Sequence, residues 1–270
     1  MPEGDTIFRA ARTLHRALAG KAVTRFDTAY APLARVHDDT PITGRTIEAV
    51  EAHGKHMVMR FSGDLVLRTH MRMHGSWHIY RPGERWQRPP REMRVLVGTA
   101  DFVAVGFNVP DAEFEAARDV GARDAIARLG PDLLAPDFDA ADAVCRLQDR
   151  GTTTIAEALL DQRALAGVGN VFKSEVLFEG GVEPFALVST LAVDRLSALV
   201  DIARRQLAVN VAPNQSGHGR RTTGRLAPAE GLWVYGRGGR PCRRCGTPIS
   251  FAKQGFGARP TYWCPTCQTA

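Results

Sequence analysis

Hydrophobic positions in the first third of the chain repeat with two different periods. Between residues 5 and 18 they recur three or four residues apart, which places them on one face of a helix. Beyond residue 22 they form short apolar or alternating runs separated by turn residues, which is typical of strands in an antiparallel sandwich. We predict a helix at 5–18, with Asp5 or Thr6 as its N-cap. The predicted strands are 23–30, 42–52, 56–61, 64–70, 77–80, 93–99 and 102–107.

The middle of the chain changes to helical periodicity. A stretch rich in glycine and arginine at 215–225 then leads to a cysteine-rich end. The pattern predicts an α+β multidomain protein: an N-terminal antiparallel β-sandwich with a flanking helix at 1–125, a helical domain at 126–235 and a C-terminal β-hairpin finger at 236–270. The predicted helices of the middle part are 139–149, 155–162, 171–178 and 193–209.

The chain is basic, with 35 Lys and Arg against 29 Asp and Glu and a net charge of +6. This balance favours a polyanionic partner such as nucleic acid, although a merely soluble basic surface explains the charge equally well. The N-terminus lacks the layout of a signal peptide, and no apolar run reaches the roughly 20 residues of a membrane helix. We therefore expect a cytoplasmic protein that does not enter membranes.

Four of the five cysteines form two pairs near the C-terminus. Cys242 and Cys245 form one C-x2-C motif, Cys264 and Cys267 form another, and eighteen residues lie between the motifs. Two such motifs joined by a spacer of hairpin length suit one tetrahedral Zn²⁺, and disulfides are unexpected in a cytosolic chain. The spacing predicts one structural zinc ion. Cys145 has no cysteine nearby in sequence and is expected to pack in the interior.

A glycine-bearing turn joins two predicted helices at 159–171. Gly167 and Gly169 permit close backbone approach, and Asn170 stands at the start of the second helix. A helix N-terminus favours an anion, which in a basic protein suggests a DNA phosphate. Asn170 is also open to a second interpretation, as a simple N-cap, and its local sequence favours this one.

Several separated segments together resemble the formamidopyrimidine-DNA glycosylase / endonuclease VIII family. The segment 159–178 is similar to its helix-two-turn-helix motif, and 232–268 is similar to its C-terminal signature and zinc finger. Residues 53–56 and 70–77 are similar to the endonuclease VIII branch, and 128–132 fits the linker into the helical domain. The start Met1-Pro2-Glu3-Gly4 also matches.

The resemblance implies a bifunctional DNA glycosylase with AP-lyase activity in base excision repair. Removal of Met1 would expose the secondary amine of Pro2, which forms a Schiff base with the damaged nucleotide before β/δ-elimination. Glu3 would move the protons. Lys55 would grip the phosphate beside the lesion, and Arg259 would bind the lesion phosphate. The sandwich would then be the catalytic domain.

The resemblance also implies how double-stranded DNA is held. Met73, with Arg72 and His74, lies where the family fills the gap left by the flipped nucleotide, while Met71 is expected in the core. Arg128 and Asn170 would hold backbone phosphates. The expected partner is duplex DNA with damaged bases or abasic sites, bound by a monomer.

The chain departs from the family pattern in ways that bear on the lesion. The strand at 102–107 lacks the arginine of the purine-specific branch, and the stretch at 223–232 is too short for that branch's lesion-capping loop. Both departures favour oxidised pyrimidines. Two alternatives stay open: oxidised purines as the main substrate, or a catalytically idle protein that only binds damaged DNA.

Overall fold

The computed structural model describes residues 2–121, 125–213, 219–225, 227–255 and 257–269. The chain divides into two compact units, Met1–Arg128 and Leu129–Ala270. Met1 and part of the glycine- and arginine-rich stretch at 215–225 lie outside the described residues. Among the described residues, no helix combines the length and the apolar character that crossing a bilayer requires.

The first unit contains two four-stranded sheets whose paired strands are all antiparallel. Their strand orders are β1-β6-β7-β5 and β2-β3-β4-β8. Both sheets bury apolar side chains in one core, which includes Ile47 and Met59 from one sheet and Val97 and Ala104 from the other. The predicted β-sandwich is therefore confirmed. The strands are β1 Arg25–Thr28, β2 Ile47–His53, β3 His56–Phe61, β4 Leu65–His70, β5 Ser76–Tyr80, β6 Met93–Gly98, β7 Val103–Phe107 and β8 Asp111–Ala116.

Helix α1 spans Gly4–Leu18 and buries its apolar stripe against this core. The predicted N-cap was wrong. Glu3 is the N-cap, with extended backbone at φ −128° and ψ −177°, while Asp5 and Thr6 lie inside the first turn. Glu3 makes no side-chain cap hydrogen bond, so the preference of N-caps for aspartate and threonine pointed to the wrong residues.

Two elements of the first unit were missing from the sequence prediction, α2 at Ala31–Asp39 and β8. Strand β8 carries Asp111, Glu113 and Glu115, and acidic residues have low strand propensity. Its partner strand β4 supplies Arg68, which forms ion pairs with Glu113 and Glu115. Cross-strand charge pairing therefore compensates for a sequence that by itself indicates no strand.

The second unit is helical up to residue 211, and its core is built around α5. All of the first nine positions of this helix are buried, so the polar side chains of Asn170, Lys173, Ser174 and Glu175 lie in the interior together with the apolar ones. The helix α4 ends after one turn, at Ala158, whereas the predicted helix extended to residue 162. The helices are α3 Ala140–Gln148, α4 Ile155–Ala158, α5 Asn170–Gly180 and α6 Val193–Val211.

An antiparallel hairpin of β9 Ser250–Gln254 and β10 Arg259–Trp263 follows at the C-terminus. Its base packs in a small core with Phe178 from α5 and with Val234 and Ile249. The expected α+β architecture with a C-terminal β-hairpin finger is confirmed. The expectation for Cys145 was wrong, because this side chain on α3 is exposed.

Candidate functional site

The start of α1 holds the first two candidate catalytic residues. Pro2 is half-buried and Glu3 is fully buried. The carbonyl oxygen of Glu3 accepts the N–H groups of Thr6 and Ile7 at 2.9 and 3.1 Å, which begins the helix. The backbone that carries Pro2 is thereby tied to a helix that is itself anchored in the sandwich core.

Lys55 lies in a two-residue hairpin turn between β2 and β3. His53 and His56 form the last pair of the ladder, and Gly54 adopts φ +57° between them. Lys55 is not among the residues with positive φ, so only the first central residue of the turn needs the conformation that glycine tolerates. The turn therefore presents Lys55 at a defined, half-exposed position.

The loop between β4 and β5 contains the candidate gap-filling residues. Met71 is buried, as predicted, whereas Met73 is about half exposed and Arg72 and His74 are exposed. The N–H of Gly75 donates to the carbonyl oxygen of Met71 at 2.9 Å, and a Cβ on Gly75 would lie 2.5 Å from that oxygen. The tight turn therefore requires glycine here, and it leaves an apolar side chain in solvent.

A neutral histidine, His70, is hydrogen-bonded to the backbone of this loop. The Nδ1 atom of His70 accepts the backbone N–H of Arg72 at 3.0 Å, and Arg72 itself adopts φ +48°. Burial lowers the pKa of His70 to about 4, and the positive charges of Arg72, Lys55 and Arg68 act in the same direction. The ring is consequently neutral at neutral pH, and the bond from Arg72 requires that its one proton is on Nε2 and not on Nδ1.

Charged side chains surround an open cavity of about 600 Å³ beside the loop. Arg68 is buried there between Glu113 and Glu115, and it lies 3.4 Å from Nδ1 of His56. Arg72 donates from Nε to Asp111 at 2.6 Å. Ion pairs between residues of β4 and β8 therefore line the cavity, and the ion pair of Arg72 with Asp111 connects the loop to β8.

Asn170 begins α5 in the second unit. Gly169 is the N-cap, so the interpretation of Asn170 as an N-cap was wrong. Asn170 is buried, and its Nδ2 donates to the carbonyl oxygen of Pro260 at 2.7 Å. Its Oδ1 accepts from Nζ of Lys173 at 2.8 Å. An amide nitrogen has two N–H groups, so the bond to Pro260 uses one of them.

Arg259 is the first residue of β10 and pairs with Gln254. Its side chain is exposed, and the adjoining tip of the hairpin includes Ala258 at φ +44°. Pro260 follows it and is paired with Lys253. Arg128 is also exposed, at the end of the first unit. Both arginines are therefore accessible to a polyanion within their own units.

The four C-terminal cysteines meet the requirements of a zinc site. Their Sγ atoms all lie within 4.8 Å of one another. The distances from Cys242 to Cys267 and from Cys245 to Cys264 are 3.9 and 3.5 Å, which bracket the separation of about 3.8 Å between sulfurs around a tetrahedral Zn²⁺. Hydrogen bonds from Thr247 lower the pKa of the Cys245 thiol to about 6, whereas burial raises the pKa of Cys264 and of Cys267, so these two thiols need the metal to become thiolates.

Glu175 is a buried carboxylate that the sequence interpretation missed. It accepts the backbone N–H groups of Trp233, Val234 and Tyr235 at 2.7 to 2.8 Å, and Thr222 donates to the same carboxylate. The charged residues Lys173 and Glu175 within the largely apolar run at 171–178 were the available signal. Glu175 therefore attaches the segment that leads into the finger directly to α5.

Three family models match along the chain. They are the formamidopyrimidine-DNA glycosylase N-terminal domain over residues 1–121, the formamidopyrimidine-DNA glycosylase H2TH domain over 129–222, and the zinc finger found in FPG and IleRS over 239–270. The chain belongs to the formamidopyrimidine-DNA glycosylase family. The family resemblance, the helix-two-turn-helix domain and the one structural zinc ion are thereby confirmed.

Curated relatives carry endonuclease 8 names. The chain is 46% identical over 271 residues to "Probable endonuclease 8 2" of Streptomyces coelicolor, covering 99% of this chain and 94% of that protein. It is 41% identical over 271 residues to "DNA-(apurinic or apyrimidinic site) lyase Nei2" of Mycolicibacterium smegmatis, covering 100% of both. These full-length matches agree with the sequence resemblance to the endonuclease VIII branch.

Solved structures share the fold at lower identity. Lactococcus lactis formamidopyrimidine-DNA glycosylase, non-covalently bound to DNA containing an AP site, matches with a TM-score of 0.84 and 23% identity over 100% of both chains. A complex of the same enzyme with DNA containing an oxidised pyrimidine matches with a TM-score of 0.83 and 24% identity over 100% of both chains. At these identities the match establishes the fold alone.

Proposed function

We propose that this chain excises oxidised pyrimidines from double-stranded DNA and cleaves the resulting abasic site, with the N-terminal amine of Pro2 as nucleophile. As a member of its family it is a bifunctional DNA glycosylase and AP lyase of base excision repair. The observation that carries the residue assignment is the position of Pro2 directly before Glu3, which is fully buried and is the N-cap of α1. The proposed location is the cytoplasm, where bacterial DNA lies.

Removal of Met1 leaves Pro2 with a free secondary amine. Its nitrogen attacks C1′ of the damaged nucleotide, the bond from C1′ to the base breaks, and the base leaves with the bonding electrons. The nitrogen then loses its proton, and its lone pair forms the C=N bond of an iminium cation as the C1′–O4′ bond breaks and O4′ takes up a proton. The iminium cation accepts electrons when a proton leaves C2′, and the 3′ phosphate departs in β-elimination. An α-amino group has a pKa of about 8, so a useful fraction is unprotonated near neutral pH.

Glu3 supplies the proton transfers that opening of the sugar and departure of the base require. Lys55 contributes its ammonium to the phosphate beside the lesion, from the defined turn between β2 and β3. Arg259, exposed on β10, offers two parallel N–H donors to the lesion phosphate. Asn170 and Arg128 hold further phosphates, and these contacts position the duplex without reading its sequence.

Met73 fills the space that the flipped nucleotide leaves in the stack. Its side chain is apolar, flexible and about half exposed, on a loop that Gly75 and His70 hold in shape. Exposure of an apolar side chain on an ordered loop is unfavourable in water, but insertion between bases buries it. Arg72 and His74 flank it and lie near the neighbouring phosphates or bases.

Borohydride reduction with a duplex that contains an abasic site tests the nucleophile. We expect a covalent adduct with protein from which Met1 has been removed, as verified by intact mass. A protein that keeps an N-terminal tag has the same Pro2 with its nitrogen blocked as an amide, so it should give no adduct. Failure of the Met1-processed protein to form the adduct would mean that it only binds damaged DNA.

The lesion class is tested separately. Excision of thymine glycol and of 8-oxoguanine opposite cytosine is compared in duplexes of the same sequence, under single-turnover conditions. We expect faster excision of thymine glycol, because the strand at 102–107 lacks an arginine and the stretch at 223–232 is short. A strong preference for 8-oxoguanine would leave the chemistry intact and contradict the lesion assignment.

A further inference from the structure

Lys173 is a buried cation on α5 whose ammonium makes three hydrogen bonds. Nζ donates to Oδ1 of Asn170 at 2.8 Å, to Oγ1 of Thr261 at 2.8 Å and to the carbonyl oxygen of Pro260 at 3.3 Å. Asn170, Lys173 and Thr261 are all buried. An ammonium has three N–H donors and no acceptor, so these three contacts match its capacity.

The contacts determine which way the carboxamide of Asn170 points. Only an oxygen can face the ammonium of Lys173, because that group donates and never accepts. Only the amide nitrogen can face the carbonyl oxygen of Pro260, because that oxygen accepts and never donates. A carboxamide turned by 180° would lose both bonds. Its oxygen would face the carbonyl oxygen of Pro260, and its NH₂ group would face the ammonium of Lys173.

A directional chain of hydrogen bonds continues from Lys173 into the hairpin and beyond it. The hydroxyl of Thr261 donates to Oε1 of Gln254 at 3.1 Å, and Nε2 of Gln254 donates to Oγ1 of Thr154 at 2.7 Å. The hydroxyl of Thr154 in turn donates to Oε2 of Glu157 at 2.7 Å. The chain runs from a buried cation to a carboxylate, so the two charges polarise each intervening bond in the same sense.

We propose that Lys173 is a positioning residue for DNA binding: it fixes the orientation of Asn170 and joins α5 to the hairpin that carries Arg259. The inference rests on the proposed function, in which Asn170 and Arg259 hold phosphates. Lys173 acts through Asn170 and through β10, because its own ammonium is saturated by protein acceptors. A wrongly turned Asn170 offers a phosphate an oxygen, which repels it, in place of an N–H group.

A double-mutant cycle with Asn170 tests this role. The dissociation constants of wild type, Lys173→Met, Asn170→Ala and the double variant are measured with a duplex that contains an uncleavable tetrahydrofuran abasic analogue. We expect each single variant to bind about tenfold more weakly, the loss typical of one charge-assisted contact. Because Lys173 acts in part through Asn170, the two losses should be less than additive, and the double variant should lose clearly less than about a hundredfold.

Lys21→Met is the matched control, because it makes the same replacement at a partly exposed lysine paired with Asp101. Wild-type affinity in this variant is expected. An equal loss there would mean that overall charge explains the effect, and it would overturn the role of Lys173. Zinc content and the unfolding temperature are measured for each variant. If Lys173→Met does not fold, Lys173→Gln, which keeps an N–H donor, replaces it in the same cycle.

Wild-type affinity in Lys173→Met, or additive losses in the double variant, would overturn the inference. The borohydride adduct of wild type separates this result from a failure of the proposed function. Absence of that adduct contradicts the proposed function, whereas additive losses in a protein that forms the adduct contradict only the role of Lys173.

Discussion

Buried charge is concentrated in a few side chains of the described part of the chain: Glu3, Asp5, Arg68, Lys173 and Glu175. Removing an ionised group from water costs several kcal/mol unless partners compensate for it. Arg68 has two glutamates, and Lys173 and Glu175 have three or more hydrogen-bond partners each. Because burial of these charges is unfavourable without partners, substitution of these residues tests what the partners contribute to function and stability.

Glu3→Gln keeps the size and the burial of this side chain but removes its capacity to move a proton. We expect excision of a damaged base to slow by about 100-fold or more, the usual contribution of a general acid or base. Cleavage of a preformed abasic site should slow less, because no base has to leave. Single-turnover assays on the two substrates measure the difference, and Glu48→Gln, at an exposed position, serves as the control. Equal losses on both substrates would contradict this role.

His70 makes the stability of the first unit depend on pH. Burial, with the charges of Arg72, Lys55 and Arg68, lowers its pKa from 6.5 to about 4. The unfolded chain therefore binds a proton between these values that the folded chain does not, and stability falls as pH decreases from about 6.5 to 4. Urea unfolding of wild type and His70→Gln at pH 7 and pH 4.5 should show a larger fall for wild type. Parallel falls would exclude His70 as the cause.

At the scale of elements, periodicity predicted most helices and strands of the chain but not their ends. The β-sandwich strands and α6 have clear apolar patterns. Strand β8 was missed because its acidic residues are stabilised by Arg68 on the neighbouring strand. Helix α5 was predicted, but the burial of its polar side chains was not, since that burial depends on the hairpin and on the segment at 232–236.

Glu175→Gln replaces an acceptor oxygen by an NH₂ group that faces backbone N–H donors. We expect the free energy of unfolding of the second unit to fall by about 3 kcal/mol, because buried donors lose a charged acceptor. The segment at 233–235, which Glu175 holds, should exchange its amide hydrogens faster. Urea unfolding and hydrogen exchange measure the two effects.

The control lies one turn further along α5. Glu179 forms an ion pair with the mostly exposed Arg205, and it accepts a hydrogen bond from Nε2 of Gln206 at 2.7 Å that the carboxamide oxygen of a glutamine can also accept. Glu179→Gln should therefore change stability by less than about 1 kcal/mol. A similar loss in both variants would show that removal of any carboxylate from α5 is sufficient.

At the scale of the whole molecule, the zinc ion belongs to the second unit and the candidate nucleophile to the first. The finger adds Cys242 and Cys264 to the small core around Phe178. Binding of Zn²⁺ therefore stabilises the hairpin that carries Arg259, while the start of α1 is held by the separate core of the sandwich. We therefore expect loss of the zinc ion to weaken DNA binding by the hairpin without changing the reactivity of the Pro2 amine.

Cys245→Ser should bind less zinc and lose at least about tenfold in affinity for abasic-site DNA, since one of four ligands is removed and the hairpin loosens. Mass spectrometry under native conditions measures the zinc, and fluorescence anisotropy measures the affinity. Cys145→Ser, which changes an exposed cysteine outside the cluster, should keep one zinc ion and wild-type affinity. Retention of full affinity by zinc-free Cys245→Ser would contradict a structural role of the metal in DNA binding.

Local spacing was sufficient for the zinc ligands, the stripe of α1 and the turn at Lys55, because each depends on backbone geometry over a few residues. Tertiary structure alone decided the N-cap at Glu3, the strand β8 and the burial of Lys173 and Glu175. Lys173 and Thr261 are 88 residues apart, and Glu175 binds amides 58 to 60 residues away. A charged side chain is stable in the interior only when residues from distant parts of the chain form hydrogen bonds or ion pairs with it. The local sequence pattern does not indicate which residues these are.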